Sequence, residues 1–321
     1  MNADMPEDPR RSVFAALRIR VPAQDRDARL SLPSHHPGPM TDLPPPVVRL
    51  SRAVWRDGRL REEAERATPA ETPIALVYDG STQAVMMASP TDVEDFACGF
   101  SLTEGIVGSL DEIESLEVVD QGIGLEARMW LGKDPSRELG RRRRNLAGPT
   151  GCGLCGIDSL EQAVKPARLV TAAAVFSSAE IHDALDALSR AQTLNFETRA
   201  VHGAGFWRPG QGLVAVREDV GRHNALDKLA GALARTGDDA STGFVLLTSR
   251  VSVEMIQKAA VIGTGLVVAV SAPTALGVRL ADEAGITLAA IARGDGFEVF
   301  THPHRIVAAG PEKLAAGGAG Q

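Results

Sequence analysis

The second half of the chain alternates between two apolar periodicities, through LVAVRED (213–219), NALDKLAGALAR (224–235), GFVLLTS (243–249), VEMIQKAAVIG (253–263), LVVAVSA (266–272), ALGVRLADEAG (275–285), ITLAAIARG (286–294) and FEVFTH (297–302). Short apolar runs are typical of strands, and the longer amphipathic runs between them are typical of helices. Because strands that alternate with helices indicate βαβ units, we predict an α/β fold with a largely parallel sheet.

Polar clusters follow three of these predicted strands, at Arg217–Asn224, Thr248–Ser252 and Arg293–Gly296. In open α/β sheets, ligands bind at the carboxyl ends of the strands. Helix N-termini and arginine forks suit phosphate, so we predict a site for a phosphorylated ligand. The first two clusters supply the candidate binding residues Arg217, Asp219, Arg222, His223, Ser249 and Arg250. Each cluster alone is more often explained by a solvated ion pair or a helix cap, and a structural role for His223 competes with proton transfer.

The first half of the chain has strand character with one amphipathic helix. An Asp79-Gly80 turn predicts a hairpin, and Thr91 with Glu94 predicts a capping box at the start of the helix. The polar stretch 132–149 predicts an exposed linker, and Ser177 with Glu180 predicts a second capping box. We therefore divide the chain into a disordered Pro-rich tail (1–46), a smaller strand-rich α+β domain (47–140) and an α/β domain (141–321).

The composition is that of a globular protein with reduced thiols. The 321 residues carry 34 Lys and Arg against 41 Asp and Glu, a net charge of −7 that argues against nucleic acid or an anionic membrane as partner. The sequence shows neither a secretory signal nor an apolar run long enough to cross a bilayer, which predicts a cytoplasmic protein. Three cysteines do not make a disulfide scaffold.

Cys152 and Cys155 form a CxxC pair inside the glycine-rich stretch GCGLCG (151–156). A structural zinc site needs four ligands, and the sequence offers no second ligand pair, so we predict no metal. A zinc deaminase needs an upstream H-x-E, and no histidine lies between His36 and His182. A thioredoxin-type context is also missing, which favours persulfide chemistry over disulfide exchange. Two incidental thiols in a flexible loop remain an alternative, and Cys98, on the predicted helix, is expected to be a core residue.

Several long stretches together resemble the FdhD/NarQ family of formate dehydrogenase accessory sulfurtransferases. They cover most of residues 47–307 and are far more specific than a lone CxxC. The stretches are TPIALVYDG (72–80), SPTDVEDFACGFSLTEGIV (89–107), GCGLCGIDSLEQ (151–162), TRAVHGAGFW (198–207), VREDVGRHNALDKLAG (216–231), LLTSRVSVEMIQKAA (246–260), VSAPTALGVRLADEAGITL (270–288) and RGDGFEVFTHPHRI (293–306).

The resemblance implies a sulfur carrier with sulfurtransferase activity. Such a protein takes persulfide sulfur from a cysteine desulfurase and passes it to molybdenum cofactor in its bis-guanine-dinucleotide form, which then enters formate dehydrogenase. GDP or a related guanine nucleotide is an expected ligand, and the cofactor is bound as substrate. The implied fold is a cytidine-deaminase-like α/β domain with a smaller N-terminal domain, and the implied assembly is a homodimer. The rival function is a noncatalytic chaperone that binds the cofactor and docks it into the apo-enzyme.

The resemblance also implies roles for individual residues. It places the persulfide on Cys152, with Cys155 as the alternate or resolving thiol. It assigns cofactor binding to the stretch Ile291, Ala292, Arg293, Gly294, Asp295 and Gly296. The chain departs from the family at Ala290-Ile291, where Gly-Phe is usual, and at Phe300, where Tyr is usual. An aromatic stacking role at position 291 is therefore lost.

Overall fold

A computed structural model of the chain describes residues 43–61, 65–145, 166–294 and 296–308. The second half is built on a mixed six-stranded sheet with the order β11-β10-β12-β13-β14-β15. Its strands are β10 (His202–Arg208), β11 (Gly212–Asp219), β12 (Phe244–Leu247), β13 (Leu266–Ala269), β14 (Thr287–Arg293) and β15 (Gly296–Thr301). Within this sheet, parallel pairing is confined to β12 with β13 and β13 with β14. The prediction of a largely parallel sheet is therefore wrong for the outer strands, because β10–β11 and β14–β15 are hairpins, and a tight hairpin pairs its strands antiparallel.

Helices cover both faces of this sheet. One face carries α5 (Arg222–Thr236), α6 (Val253–Ile262) and α7 (Ala275–Glu283), and the other carries α3 (Ser178–Ala191), followed by the short α4 (Thr193–Thr198). Strand β12 shows why both faces are buried, since Val245 packs toward α5–α7 and Phe244 toward α3. The short strands β9 (Phe176–Ser177) and β16 (Ile306–Val307) pair in parallel beside the main sheet. The Ser177–Glu180 capping box at the start of α3 is confirmed.

The first half contains a four-stranded sheet with the order β6-β5-β8-β7. Its strands are β5 (Thr72–Tyr78), β6 (Ser81–Ala88), β7 (Ile113–Asp120) and β8 (Leu125–Leu131), and one face packs on α1 (Val93–Thr103). Two small antiparallel pairs precede it, namely β1 (Val47–Ser51) with β4 (Glu65–Pro69), and β2 (Val54–Arg56) with β3 (Arg59–Arg61). The hairpin predicted at Asp79-Gly80 is confirmed, and both turn residues have positive φ.

Two local predictions in the first half are wrong. The capping box of Thr91 and Glu94 does not form, because Asp92 takes the N-cap position with φ 52° and makes no side-chain cap hydrogen bond. The stretch predicted as a linker contains α2 (Lys133–Asn145). Lysine, glutamate, leucine and arginine are good helix formers, and Leu139 is buried against the core of the first sheet. Tail residues 1–42 and the stretch 146–165 lie outside the described residues.

Helices α1 and α5 pack face to face and join the two halves. A Cβ placed on Gly99 of α1 would lie 1.7 Å from the carbonyl oxygen of Asp227, and one placed on Gly231 of α5 would lie 1.9 Å from that of Asp95. Only glycine permits backbones to approach this closely. In the parts of the chain that are described, no helix is long and apolar enough to cross a membrane.

Candidate functional site at the carboxyl edge of the sheet

Four strands of the large sheet end at the same edge. β11 and β12 both pair antiparallel with β10, and β12, β13 and β14 are mutually parallel, so β11–β14 all run in one direction. Helices α5, α6 and α7 begin immediately after the first three of them. The three polar clusters predicted from sequence therefore do lie along one edge. With a strand spacing of about 4.8 Å, the ends of β11 and β14 lie roughly 19 Å apart.

The first two residues of α5 carry two buried side-chain nitrogens without a hydrogen-bond partner. Arg222 Nε and His223 Nε2 are shielded from solvent, and neither has a hydrogen-bond partner among the described residues. Burial lowers the pKa of His223 to about 4, and the nearby positive charges of Arg222 and Lys258 add to the effect. The pKa of His202, which enters the sheet beside Asp219, is lowered by burial and by Arg222. Both imidazoles are therefore neutral at pH 7.

The start of α6 supplies the second group of polar side chains. Ser252 is the N-cap, but its hydroxyl makes no capping bond and instead donates to Glu254 Oε2 at 2.7 Å. Burial opposes ionisation of Glu254, yet this hydrogen bond together with nearby His223 and Arg222 leaves its pKa below the usual value. Ser249 is buried and donates to the Arg250 carbonyl at 3.1 Å, while the Arg250 side chain is exposed. The N-cap residues of α5 and α6 make no side-chain capping hydrogen bond.

Asp219 faces the protein interior. Its fully buried carboxylate pairs with Lys228 Nζ at 2.7 Å and accepts hydrogen bonds from Ser89 N, Gly221 N and Asn224 Nδ2. These bonds tie the loop after β6 to the start of α5. These contacts of Asp219 are structural, and its role as a ligand-binding residue stays a prediction.

Arg217 lies on the same side of β11 and pairs with α1. Its guanidinium contacts Asp95 Oδ2 at 2.6 Å, and Arg235 of α5 contacts the other oxygen of the same carboxylate at 2.6 Å. The structure thus places Arg217 and Asp219 against the first half of the chain, whereas Arg222, His223, Ser249 and Arg250 stay at the sheet edge. Cofactor contact by Arg217 stays a prediction.

A second buried lysine, Lys258, pairs with carboxylates from two elements. Lys258 Nζ contacts Asp227 Oδ1 at 2.8 Å, Glu104 Oε1 at 2.7 Å and the Thr103 hydroxyl at 2.9 Å. Burial alone would lower the pKa of Lys258, but the two carboxylates outweigh it, so the pKa lies above the usual value. This network joins α1, α5 and α6 underneath the candidate site.

The end of β14 contains a backbone irregularity. Ile291 has φ 53°, a region that β-branched residues rarely occupy, and the pairing with β15 shifts register between Ala290 and Arg293. Its N–H donates to the Ser271 carbonyl at 3.2 Å, which fixes the irregular segment to the end of β13. Ala292 is buried, Arg293 and Gly294 are exposed, and Gly296 begins β15. Asp295 lies outside the described residues.

The proposed persulfide cysteines, Cys152 and Cys155, also lie outside the described residues. Cys98 is buried on α1, as expected, and burial raises its pKa to about 11, so it is a neutral thiol. It lines a cavity of about 270 Å³ between α1, α5 and β7, away from the sheet edge. The cavity is otherwise lined by Glu94, Leu110, Ile113, Leu116 and Arg235.

Sequence reasoning missed Glu254 and His202 at this site. Glu254 occupies the first turn of α6, where an acidic residue is ordinarily explained by the helix dipole alone. His202 precedes a predicted strand and carries no motif of its own. The sequence position of Glu254 could have indicated it, since it lies two residues beyond the Thr248–Ser252 cluster.

Comparison with known proteins defines the class to which this fold and site belong. A family model described as the FdhD/NarQ family matches residues 69–307. The chain is 54% identical over 262 residues to the sulfur carrier protein FdhD of Agrobacterium fabrum, covering 81% of this chain and 96% of the relative. It is 46% identical over 277 residues to that of Cupriavidus necator, covering 85% and 95%. The chain belongs to the FdhD/NarQ family.

A solved structure supports the same grouping. A crystal structure from Desulfotalea psychrophila, described as a formate dehydrogenase accessory protein, matches with a TM-score of 0.66 and 27% identity. The match covers 82% of this chain and all of that one. The mixed α/β architecture is therefore shared with an accessory protein of this family.

Proposed function

We propose that this protein is a sulfur carrier that receives persulfide sulfur from a cysteine desulfurase and delivers it to molybdenum cofactor in its bis-guanine-dinucleotide form, for formate dehydrogenase. The observation that carries the proposal is the 54% identity to a sulfur carrier over most of both chains. The catalytic subunit of formate dehydrogenase is the proposed recipient of the cofactor. A cytoplasmic homodimer with a cytidine-deaminase-like second half is part of the same proposal.

The sulfur-loading step uses the CxxC pair. The Cys152 thiolate attacks the outer sulfur of the desulfurase persulfide, the S–S bond of the donor breaks, and the donor cysteine leaves as a thiolate. The transferred sulfur atom remains on Cys152 as a persulfide, and no external oxidant or reductant is consumed. Cys155 is the alternate or resolving thiol; as the alternate, its thiolate attacks the outer sulfur of the Cys152 persulfide, and Cys152 leaves as a thiolate. The chain is therefore proposed to act as a sulfurtransferase.

The nucleotide part of the substrate is proposed to bind at the carboxyl edge of the sheet. Arg222 Nε and His223 Nε2 are buried without a partner among the described residues, and Ser249 and Arg250 follow the end of β12 on the same edge. Arg293 and Gly294 lie at the end of β14, roughly 19 Å along the edge from the end of β11, a distance that suits an extended dinucleotide better than a single phosphate. GDP is the simplest probe of this site.

Mass spectrometry of the intact protein tests the sulfur-carrier proposal. After incubation with a cysteine desulfurase and cysteine, the wild type should gain about 32 Da, the mass of one sulfur atom, by the exchange chemistry of persulfides. The Cys152→Ala/Cys155→Ala variant should gain nothing. Cys98→Ala is the matched control, because it removes a buried thiol and should load like the wild type. Equal loading of the double variant would reject the assignment.

A noncatalytic cofactor chaperone is the second candidate function. It is favoured because the residues proposed to bind the cofactor at the carboxyl edge of the sheet include neither thiol of the CxxC pair. The two functions differ in a complementation assay. The chaperone requires that the double cysteine variant still restores formate dehydrogenase activity in cells that lack the wild-type protein. The sulfur carrier requires that it does not.

A further inference from the structure

The β2–β3 hairpin has an apolar face that is open to solvent. The two strands form a two-stranded sheet of their own and turn at Asp57 and Gly58, which both have positive φ. Trp55 and Leu60 lie directly opposite each other on one face, and they are 70% and 59% exposed. A two-stranded hairpin is marginally stable in water, and burial of these two side chains would stabilise it. This face therefore has the character of an interaction surface.

The opposite face of the hairpin is basic. Arg56 and Arg59 pair directly across the two strands, and both side chains are exposed. Like charges that face each other destabilise a strand pair, and an anionic surface in contact with them offsets this cost. A partner that fits the hairpin therefore presents an apolar pocket to one face and carboxylates to the other.

Strand β7 of the same chain offers this combination. It is an edge strand of the four-stranded sheet, and it carries the exposed carboxylates Glu114, Glu117 and Asp120 but no lysine or arginine. Leu116 faces the core beside α1, whereas Glu117 lies on the other face of the sheet, opposite Arg128 of β8. Acidic side chains on an edge strand repel a second β7 strand and attract a strand that carries arginines.

The cavity that Cys98 lines, the Cys98 cavity, lies on the α1 side of this edge. Its volume is about 270 Å³, and apolar side chains of β7 and of the helical turn before it form part of its wall. Small-molecule sites measure about 300–1,000 Å³, so the cavity suits one large side chain better than a small-molecule ligand. Because successive side chains of a strand point to opposite faces, a hairpin beside β7 that directs Trp55 into the cavity directs Arg56 toward the face of Glu117.

We propose that the β2–β3 hairpin of one copy of this chain docks beside β7 of a second copy, with Trp55 in the Cys98 cavity and the two arginines against the β7 carboxylates. A second copy is the occupant because both complementary surfaces belong to the same sequence, so a twofold axis forms two identical contacts. The inference rests on the proposed homodimer and assigns its interface.

Sedimentation equilibrium over a series of protein concentrations tests this interface. The wild type should form a dimer. Trp55→Ala should weaken the dimer about a thousandfold, because an anchoring aromatic residue contributes about 30-fold per contact and the twofold interface contains it twice. Val85→Ala is the matched control, because Val85 is as exposed as Leu60 but lies on β6, at the opposite edge of the same sheet. It should leave the dimer Kd unchanged.

A mixture of two variants tests whether the hairpin and the cavity meet each other. Leu110→Trp places a large side chain at the wall of the cavity and should by itself weaken the dimer as Trp55→Ala does. In a 1:1 mixture, the intact hairpin of one variant can enter the intact cavity of the other. The heterodimer should therefore be about 30-fold tighter than either variant's homodimer.

Three results would overturn the assignment. A Trp55→Ala dimer as tight as the wild type would place the interface elsewhere, and a mixture no tighter than its components would show that the hairpin does not enter the cavity. A wild type that stays monomeric would remove the homodimer as well. Persulfide loading of the wild type, measured on the same preparations, distinguishes each of these results from failure of the sulfur-carrier proposal.

Discussion

Replacing Gly99 by alanine should separate α1 from α5. The added Cβ would lie 1.7 Å from the Asp227 carbonyl oxygen, whereas ordinary van der Waals contact begins at 3.4 Å. The obstacle is backbone on the facing helix, so it cannot rotate away as a flexible side chain would. The two helices must move apart locally by about 1.5 Å to accept one methyl group.

The energetic cost has two parts. Overpacking of this kind costs about 1–3 kcal/mol. The separation also stretches the bonds that join α1 to the second half, including Thr103 to Asp227 at 2.6 Å and Lys258 to Glu104 at 2.7 Å. Because buried charged groups lose about 3–5 kcal/mol when a partner is removed, even partial loss adds to the cost. We expect the free energy of unfolding to fall by about 3–5 kcal/mol.

Urea unfolding followed by tryptophan fluorescence measures this change. Gly108→Ala is the matched control, because the nearest atom to its added Cβ is Glu112 Oε1 at 3.6 Å, and its free energy of unfolding should stay within about 0.5 kcal/mol of the wild type. A Gly99→Ala protein as stable as this control would show that the α1–α5 contact is not the tight backbone packing described above.

Further predictions concern strain, ionisation and thiol reactivity. Ile291→Gly should be at least as stable to heat as the wild type, because it removes about 1–2 kcal/mol of left-handed strain, whereas Ala289→Gly in the extended part of β14 should lower the Tm. His223 stays neutral in the folded state, with a pKa of about 4 against 6.5, so its contribution to stability is lost as pH falls from about 6.5 to 4. Urea titrations at pH 7 and 4.5 should therefore show about 2 kcal/mol less acid destabilisation in His223→Gln than in the wild type. Lys258→Met should lower the free energy of unfolding by about 3–5 kcal/mol in the same assay, because it leaves a buried carboxylate unpaired. With its pKa raised to about 11, Cys98 in the double cysteine variant should react with a disulfide reagent at pH 8 roughly a hundredfold more slowly than in urea-unfolded protein.

The apolar periodicity of the sequence was sufficient to locate the helices and strands of the second half, but not to predict which strands pair. The alternation over residues 213–302 located β11 to β15 and α5 to α7, because each element buries apolar residues at its own period. It did not show that β10 lies between β11 and β12, since strand order depends on contacts between residues far apart in the chain. α2 was missed because its helical character comes from propensity and one buried leucine, not from a wide apolar face.

The sequence predicted which edge of the sheet carries the candidate site, but it did not predict which individual side chains lie at that edge. The three polar clusters, as far as the structure describes them, follow strands that end at the same sheet edge, as the topology rule predicts. Periodicity could not separate Arg222, which remains at the edge, from Arg217 and Asp219, which pair with α1 and with Lys228. Those pairings join distant segments, and charge alone does not distinguish an arginine that binds a ligand from one that binds a neighbouring helix.

The glycine contact between α1 and α5 bears on how the chain could be divided. The residues that hold the two halves together, on α1 and on α5 with α6, lie on opposite sides of positions 146–165 in sequence. Their association therefore depends on complementary surfaces and on two buried lysines of the second half, Lys228, which donates to the Ser89 carbonyl, and Lys258, which pairs with Glu104, and not on the peptide bonds between the halves. Two polypeptides, one ending at residue 145 and one beginning at 166, would each carry its half of that interface, which makes the protein a natural candidate for split-fragment complementation.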